Sequence, residues 1–271
     1  MMKVVDSHIH FWDLQNGYND WVNNTDLPKV VTPDSLNTNA FVHIEAHSDI
    51  FEPLCEYSWL KSKFPCENIK VVAFADFTLS LGEFEKSIEY LAQYEDIIGV
   101  RQIMSKTDKS NYSPFDKEIP RDLNKKLTIL KDNNLVFEAQ MYPEQFLPLL
   151  DSINNSGVKI AIEHFGLPLY AENGSVKEWQ TFIKNISQNK NWYLKLSGFD
   201  LNNDICDVDR ALDFIFDYIN QKQLCYGSNY PVSYTQDYKF WQNYLRKYIN
   251  NEKVSQNIFC RVASDIYSIN D

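Results

Sequence analysis

The clearest capacity for chemistry stands at the start of the chain, in Lys3-Val4-Val5-Asp6-Ser7-His8-Ile9-His10. A β-branched run ends there in His-x-His. Side chains alternate across a strand, so His8 and His10 point the same way. Two imidazoles on one face at a strand's end can hold a metal, or bind and polarise a carbonyl oxygen. Hydrogen-bonded histidines at a strand terminus are the structural alternative. A third histidine, His164, follows an apolar run and precedes Gly166-Leu167-Pro168, which breaks the chain into a loop. A neutral imidazole there can ligate a metal, hydrogen-bond a carbonyl or relay a proton. Arg101 is one of five arginines. It offers a donor fork for a carboxylate, hydroxyl or carbonyl, or an ion pair to Asp76 or Glu45. Glu45 and His47 flank the end of another apolar run, as partners for hydroxyl groups or as solvated side chains.

Such residues act together only if the backbone converges them. Strand-like runs occur at Val4–His8, Ala40–Glu45, Lys70–Asp76, Ile97–Met104, Leu135–Met141, Val158–His164, Trp192–Ser197 and Gln223–Ser228. Between them, helical periodicity marks Leu81–Tyr94, Arg121–Asp132, Pro143–Ser152, Val176–Gln188, Val208–Asn220 and Tyr238–Tyr248. Eight strands alternating with helices predict a single (β/α)8 TIM-type barrel, one domain over residues 1–271. A doubly wound open sheet is disfavoured, because no Gly-rich loop follows the first strand. Polar residues end several runs: His8 and His10 the first, Arg101 the fourth, Gln140 the fifth, His164 the sixth, Ser197 the seventh and Asn229 the eighth. Active sites of such barrels lie at the C-terminal ends of the strands.

The bulk properties narrow the partners. A chain of 271 residues, 44% hydrophobic, can bury a sizeable core. A net charge of −11 argues against nucleic acid or anionic lipid, though a local arginine can still receive an anionic substrate. No apolar run approaches a membrane span, and Met1-Met2-Lys3 leads into a strand without a signal-peptide core. Five scattered cysteines, with no CxxC pair, suit a reduced cytoplasmic setting.

Asp6-Ser7-His8-Ile9-His10-Phe11-Trp12-Asp13 resembles the opening motif of the amidohydrolase superfamily. Gly99-Val100-Arg101, Glu163-His164-Phe165-Gly166-Leu167-Pro168, Lys195-Leu196-Ser197-Gly198, Gly227-Ser228-Asn229-Tyr230-Pro231-Val232 and Ala263-Ser264-Asp265-Ile266-Tyr267 fit in order. The set spans the chain. It resembles the amidohydrolase 2 branch, which holds sugar lactonases such as L-fuconolactonase and the 2-pyrone-4,6-dicarboxylate lactonase. The family pattern Gly-Ser-Asp-Trp-Pro is altered to Gly227-Ser228-Asn229-Tyr230-Pro231. In the family that aspartate holds and deprotonates the attacking water. An amide orients water but takes no proton near neutral pH. Three readings follow. His164 replaces the base, a metal acidifies the water, or hydrolysis is lost.

The resemblance also bears on cofactors. Binuclear members bridge two ions through a lysine carbamate or glutamate at strand four, with a histidine on strand five. Arg101 and Gln140 stand near those places, which argues against two ions. The expectation is no required cofactor, or one divalent ion such as zinc on His8, His10 and His164. The leading expectation is a hydrolase that opens a sugar-acid lactone, L-fuconolactone-like. His8 and His10 polarise the carbonyl, Asn229 places the water and His164 is the base. Arg101, Glu45, His47, Gln140, Ser197, and Trp12 and Trp21 of the ring-rich loop between Phe11 and Trp21, are the expected substrate contacts. A metal-dependent decarboxylase or hydratase of the same superfamily is the second enzyme reading. A catalytically silent barrel that binds a sugar acid is the reading from another class. A homo-oligomer is compatible with the sequence.

Overall fold

The computed structural model describes residues 3–48, 50–168, 175–198, 205–233 and 237–269. Eight strands form one parallel sheet in sequence order: β1 (Val5–Ile9), β2 (Ala40–Ile44), β3 (Ile69–Phe74), β4 (Ile97–Ile103), β5 (Val136–Gln140), β6 (Ile160–Ile162), β7 (Trp192–Leu196) and β8 (Leu224–Tyr226). Every residue of β1, β2 and β5 is buried. That is the condition of a parallel strand covered on both faces, and it explains runs richer in Val and Ile than in alternating polar residues. Helices lie between the strands, so the architecture is a (β/α)8 barrel as the alternation predicts.

Closure comes from chain just past the strands. Ile9 bridges Tyr230 in parallel, the Asn229 N–H donates to the His8 carbonyl at 2.8 Å, and the His10 N–H donates to the Tyr230 carbonyl at 2.9 Å. The sheet register shifts between Asp6 and Ile9, so β1 is irregular where its histidines leave it.

The predicted runs overshoot by one to two residues at most ends. The ladder stops where apolar residues stop, at Ile44, Ile162 and Leu196. Glu45, Glu163, His164 and Ser197 therefore sit in the first turns beyond it. The expected helix Pro143–Ser152 is broken into Pro143–Phe146, a 3₁₀ turn Leu147–Leu149 and a helix Leu150–Ser156. Pro148 lacks the N–H that a continuous helix needs. A helix at Cys55–Lys63, a C-terminal helical run from Glu252 to Tyr267 and a small ribbon pairing Trp12–Asp13 with Val30–Val31 go beyond the sequence expectation.

One large apolar cluster joins the strands to the surrounding helices. A smaller one fills the barrel with Val5, Val42, Val72, Val136, Ala161 and Cys225, and takes Ala263, Ile266 and Tyr267 from the C-terminal run. Polar groups continue this filling toward the site. Lys195 pairs with Glu138 at 2.7 Å and donates to the Ser7 carbonyl at 2.7 Å, with Tyr267 donating to the same Glu138. All four residues are fully buried. Removing one partner of such a pair strands the other charge, at a cost of about 3–5 kcal/mol. The pair thus anchors the strand that carries the His-x-His sequence.

Candidate active site

A cavity of ≈ 1200 Å³ opens beyond the C-terminal strand ends. His10, Glu45, His47, Arg101, Gln140, His164, Asn229 and Trp21 line it. His8 and Ser197 are fully buried just behind that lining. The strand ends have therefore gathered nearly all of the expected residues. Ser197, expected at the substrate, is a correction: its hydroxyl lies against His164 Nδ1 at 3.0 Å, away from the cavity. Trp12 is a second correction. Its ring is fully buried, its indole N–H donates to the Pro28 carbonyl at 2.8 Å, and Trp21 stacks edge-on against it at 5.6 Å. The ribbon it belongs to pulls Trp12 inward, so it supports Trp21 and does not face the cavity.

The three histidines form one cluster. The His8 ring centre lies 5.2 Å from that of His10 and 4.6 Å from that of His164. Burial makes each of them hard to protonate. His8 is held well below the usual histidine range, His10 falls to about 3 and His164 to about 4. All three are neutral at physiological pH. The hydrogen bonds then fix what each can offer. The His10 Nδ1 lies 2.8 Å from the Ile44 carbonyl oxygen, an acceptor, so Nδ1 carries the proton. Its Nε2 presents a lone pair. The His164 Nδ1 lies 3.0 Å from Ser197 Oγ and its Nε2 lies 3.7 Å from Glu163.

The backbone around His164 is unusual. His164, Phe165 and Leu167 all have positive φ, near 52°, 59° and 51°. Such conformations cost non-glycine residues roughly 1–3 kcal/mol each. Trp179 holds the turn by donating to the Phe165 carbonyl at 2.7 Å. Gly198, also left-handed, lies so close that a Cβ there would overlap the His164 ring. A Cβ on Gly227 would stand 2.6 Å from the His8 Cβ.

Arg101 is an internal brace. Its Nε donates to Glu45 Oε1 at 2.7 Å, one terminal nitrogen to the Glu45 carbonyl at 2.7 Å, and the other to Gln140 Oε1 at 3.2 Å and Glu163 Oε2 at 3.1 Å. Four of its five N–H groups are thus committed to the protein. The ion pair to Glu45 that the sequence offered is present; the partner on the far side is Glu163, not Asp76. Burial works to raise Glu163, but the Arg101 guanidinium, with His164 and Lys195, outweighs it and holds the carboxyl below the usual range. Burial wins at Glu45, which is raised despite Arg101. His47 points its Nδ1 at Glu56 at 3.4 Å, and the same carboxylate faces His43 at 3.4 Å.

Sequence reasoning passed over two site residues. Glu163 is a lone acid that closes an apolar strand beside a histidine, a signal that was available. Tyr112 comes from the segment between β4 and the helix Leu123–Asp132, where no periodicity marks it, yet it lines the cavity and its hydroxyl meets Gln140 at 2.5 Å.

The donor set fits a single divalent ion. Among the described residues both ring nitrogens of His8 are buried without a hydrogen-bond partner, Nδ1 lying 3.5 Å from Glu163 Oε1, which is costly unless something else engages them. One ligand atom each from His8, Glu163 and His164 lies within 4.8 Å of the others. Neutral imidazoles and an ionised carboxylate are the protonation states a metal requires. Glu163 takes the place in this trio that the sequence gave to His10.

The whole chain has recognisable relatives. The amidohydrolase family model matches residues 5–268. An uncharacterised protein, y4mH, of Sinorhizobium fredii (strain NBRC 101917 / NGR234) is 25% identical over 267 residues, covering 85% of this chain and 86% of its own. A zinc-bound amidohydrolase from Burkholderia multivorans superposes with a TM-score of 0.79 at 16% identity, over 99% of this chain and 100% of that one. A probable 2-pyrone-4,6-dicarboxylic acid hydrolase from Acinetobacter baumannii, with citric acid bound, gives 0.70 at 17% identity over 98% and 100%. At these identities the structural likenesses speak for the fold. The family match, from the strand that carries His8 to the helix that carries Tyr267, makes this chain a member of the amidohydrolase family.

Proposed function

We propose that this protein hydrolyses a small lactone derived from a sugar acid, using a water held between Asn229 and His10. The observation that supports this reading is the barrel-closing clasp, which ties the backbone of Asn229 to that of the His8–His10 segment, with both Asn229 and His10 lining the cavity. Asn229 Nδ2 donates to Ser233 Oγ at 3.0 Å, and among the described residues its Oδ1 has no donor, which leaves it to accept from water. His10 Nε2 takes the water's proton. His164, braced by Ser197 and Glu163, holds its neighbours in place; both of its nitrogens face protein partners, so neither is offered to the water. This shifts the base from His164 to His10. It also removes carbonyl polarisation from neutral His10, whose one N–H is spent on Ile44.

A divalent ion held by His8, Glu163 and His164 would supply Lewis-acid polarisation of the carbonyl. Trp21 offers a ring to an apolar sugar face, and His47, Glu45 and Gln140 offer partners for hydroxyls. The Acinetobacter neighbour is named for a cyclic ester, which supports the reaction class. No described helix is long and apolar enough to cross a membrane. We place the protein in the cytoplasm on its scattered cysteines, and as one domain over its length.

The test is a pH-indicator screen of aldonolactones, on protein as purified and after chelation. Acid release from at least one lactone is expected. Tight lactone binding without acid release across the panel would favour the silent barrel instead.

A further inference from the structure

We propose that Tyr112 is a further catalytic residue, whose phenolic O–H donates a proton to the ring oxygen that leaves when the lactone opens. The inference rests on the lactonase reading above and on a fixed chain of hydrogen bonds. Arg101 has only donors, so the Gln140 oxygen must face it, at 3.2 Å. The Gln140 amide nitrogen is thereby turned toward Tyr112, and donates to its hydroxyl oxygen at 2.5 Å. The Tyr112 oxygen is an acceptor in that bond, so its own proton is directed elsewhere. Tyr112 and Gln140 both line the cavity that His10 and Asn229 line.

Each link strengthens the next. A hydroxyl whose oxygen accepts a hydrogen bond is a better donor, and this chain begins at a guanidinium cation. Tyr112 is 44% exposed as a residue, but desolvation of its hydroxyl end pushes the phenol up to about 12, so it stays protonated at neutral pH and holds a proton suited to an alkoxide. The segment is pinned where the chain needs it, because Tyr142 donates to the Tyr112 carbonyl at 2.6 Å.

The step balances. Water oxygen bonds to the carbonyl carbon and gives a proton to His10. The ring C–O bond breaks, and its electron pair takes the Tyr112 proton. Bulk water returns a proton to the phenolate as His10 releases one. Lactone and water become a hydroxy acid, with no oxidant or co-reactant.

The experiment compares Tyr112→Phe with wild type on two substrates. An aldonolactone expels an alkoxide, which needs the proton. Dihydrocoumarin expels a phenoxide, which needs it far less. The variant is expected to lose at least about tenfold in kcat on the aldonolactone, the low side of general-acid help, and to stay within about twofold on dihydrocoumarin. Equal losses on both, or no loss on the aldonolactone, would overturn the proposal. If wild type opens neither, the lactonase reading fails by itself, and titration calorimetry with a 1,4-anhydroalditol then tests the donor. That ring keeps the oxygen and lacks the carbonyl. Weaker binding by Tyr112→Phe supports the contact; equal binding, or none by wild type, refutes it.

Discussion

The main-chain N–H of Asn229 donates to the carbonyl oxygen of His8 at 2.8 Å, across the seam where the barrel closes. One bond therefore serves two purposes. It joins the last strand's end to the first, and it ties the Asn229 backbone to the histidine segment. Asn229 has φ near 52°, a conformation that asparagine and aspartate tolerate better than most residues. The position is thus open to either side chain.

Asn229→Asp is accordingly expected to fold and to gain activity. The two side chains are nearly isosteric, and the Ser233 hydroxyl can turn to donate where it now accepts. The new carboxylate would share the cavity with Glu45, and a like charge there raises its pKa toward that of a useful base. An increase in kcat of at least about tenfold on the best lactone is expected. A loss would mean that the water is already activated by a base tuned to an uncharged neighbour.

His10 gives a prediction in pH. Its folded pKa, near 3, lies below the ordinary value of 6.5. A depressed histidine contributes stability that is present above 6.5 and lost as pH falls toward the folded value, by about 1.4 kcal/mol per unit. Asp6, pushed by burial up to about 6, and Glu138, pushed up to about 7, titrate in the opposite sense over this range. The whole-protein profile mixes these terms, so the difference between wild type and His10→Asn is the measure. Urea titrations should show that difference shrinking by about 2 kcal/mol from pH 6.5 to pH 5. A constant difference would show that His10 is not buried as described.

Gly198 tests the packing behind His164. Alanine there meets the imidazole and also adopts a left-handed φ of 68°. Overpacking costs about 1–3 kcal/mol, and the backbone about 1 more. Gly198→Ala should lose roughly 2–4 kcal/mol in denaturant titration, with most of its lactone turnover. Full stability would show that the Gly198–His164 contact relaxes freely.

The metal prediction is read without activity. Zinc titrated into chelated protein should raise the melting temperature, since a ligand at 100 times its Kd adds about 2.7 kcal/mol. Elemental analysis should find at most one bound ion per chain. His8→Asn and Glu163→Gln should each abolish the shift. Two ions per chain, or an unaltered shift in both variants, would count against the trio.

Local pattern carried the eight-strand alternation and the His-x-His pair, because β-branched runs and helical periodicity are short-range properties. It also placed His10, His164 and Asn229 just past strand ends, since an apolar run that stops on a polar side chain marks where a parallel strand leaves the sheet; Arg101, expected at such an end, lies inside β4, which runs on to Ile103. Other facts depended on partners distant in sequence. Whether Arg101 faces substrate or protein was decided by Glu45 and Glu163, 56 and 62 residues away. Which nitrogen of His10 is free was decided by the Ile44 carbonyl on the neighbouring strand. The burial of Trp12, the closeness of Glu163 to His8 and His164 and the placement of Tyr112 followed the same rule. Residue type sets what a side chain can donate or accept, but only the folded neighbours determine which of those valences remain for chemistry.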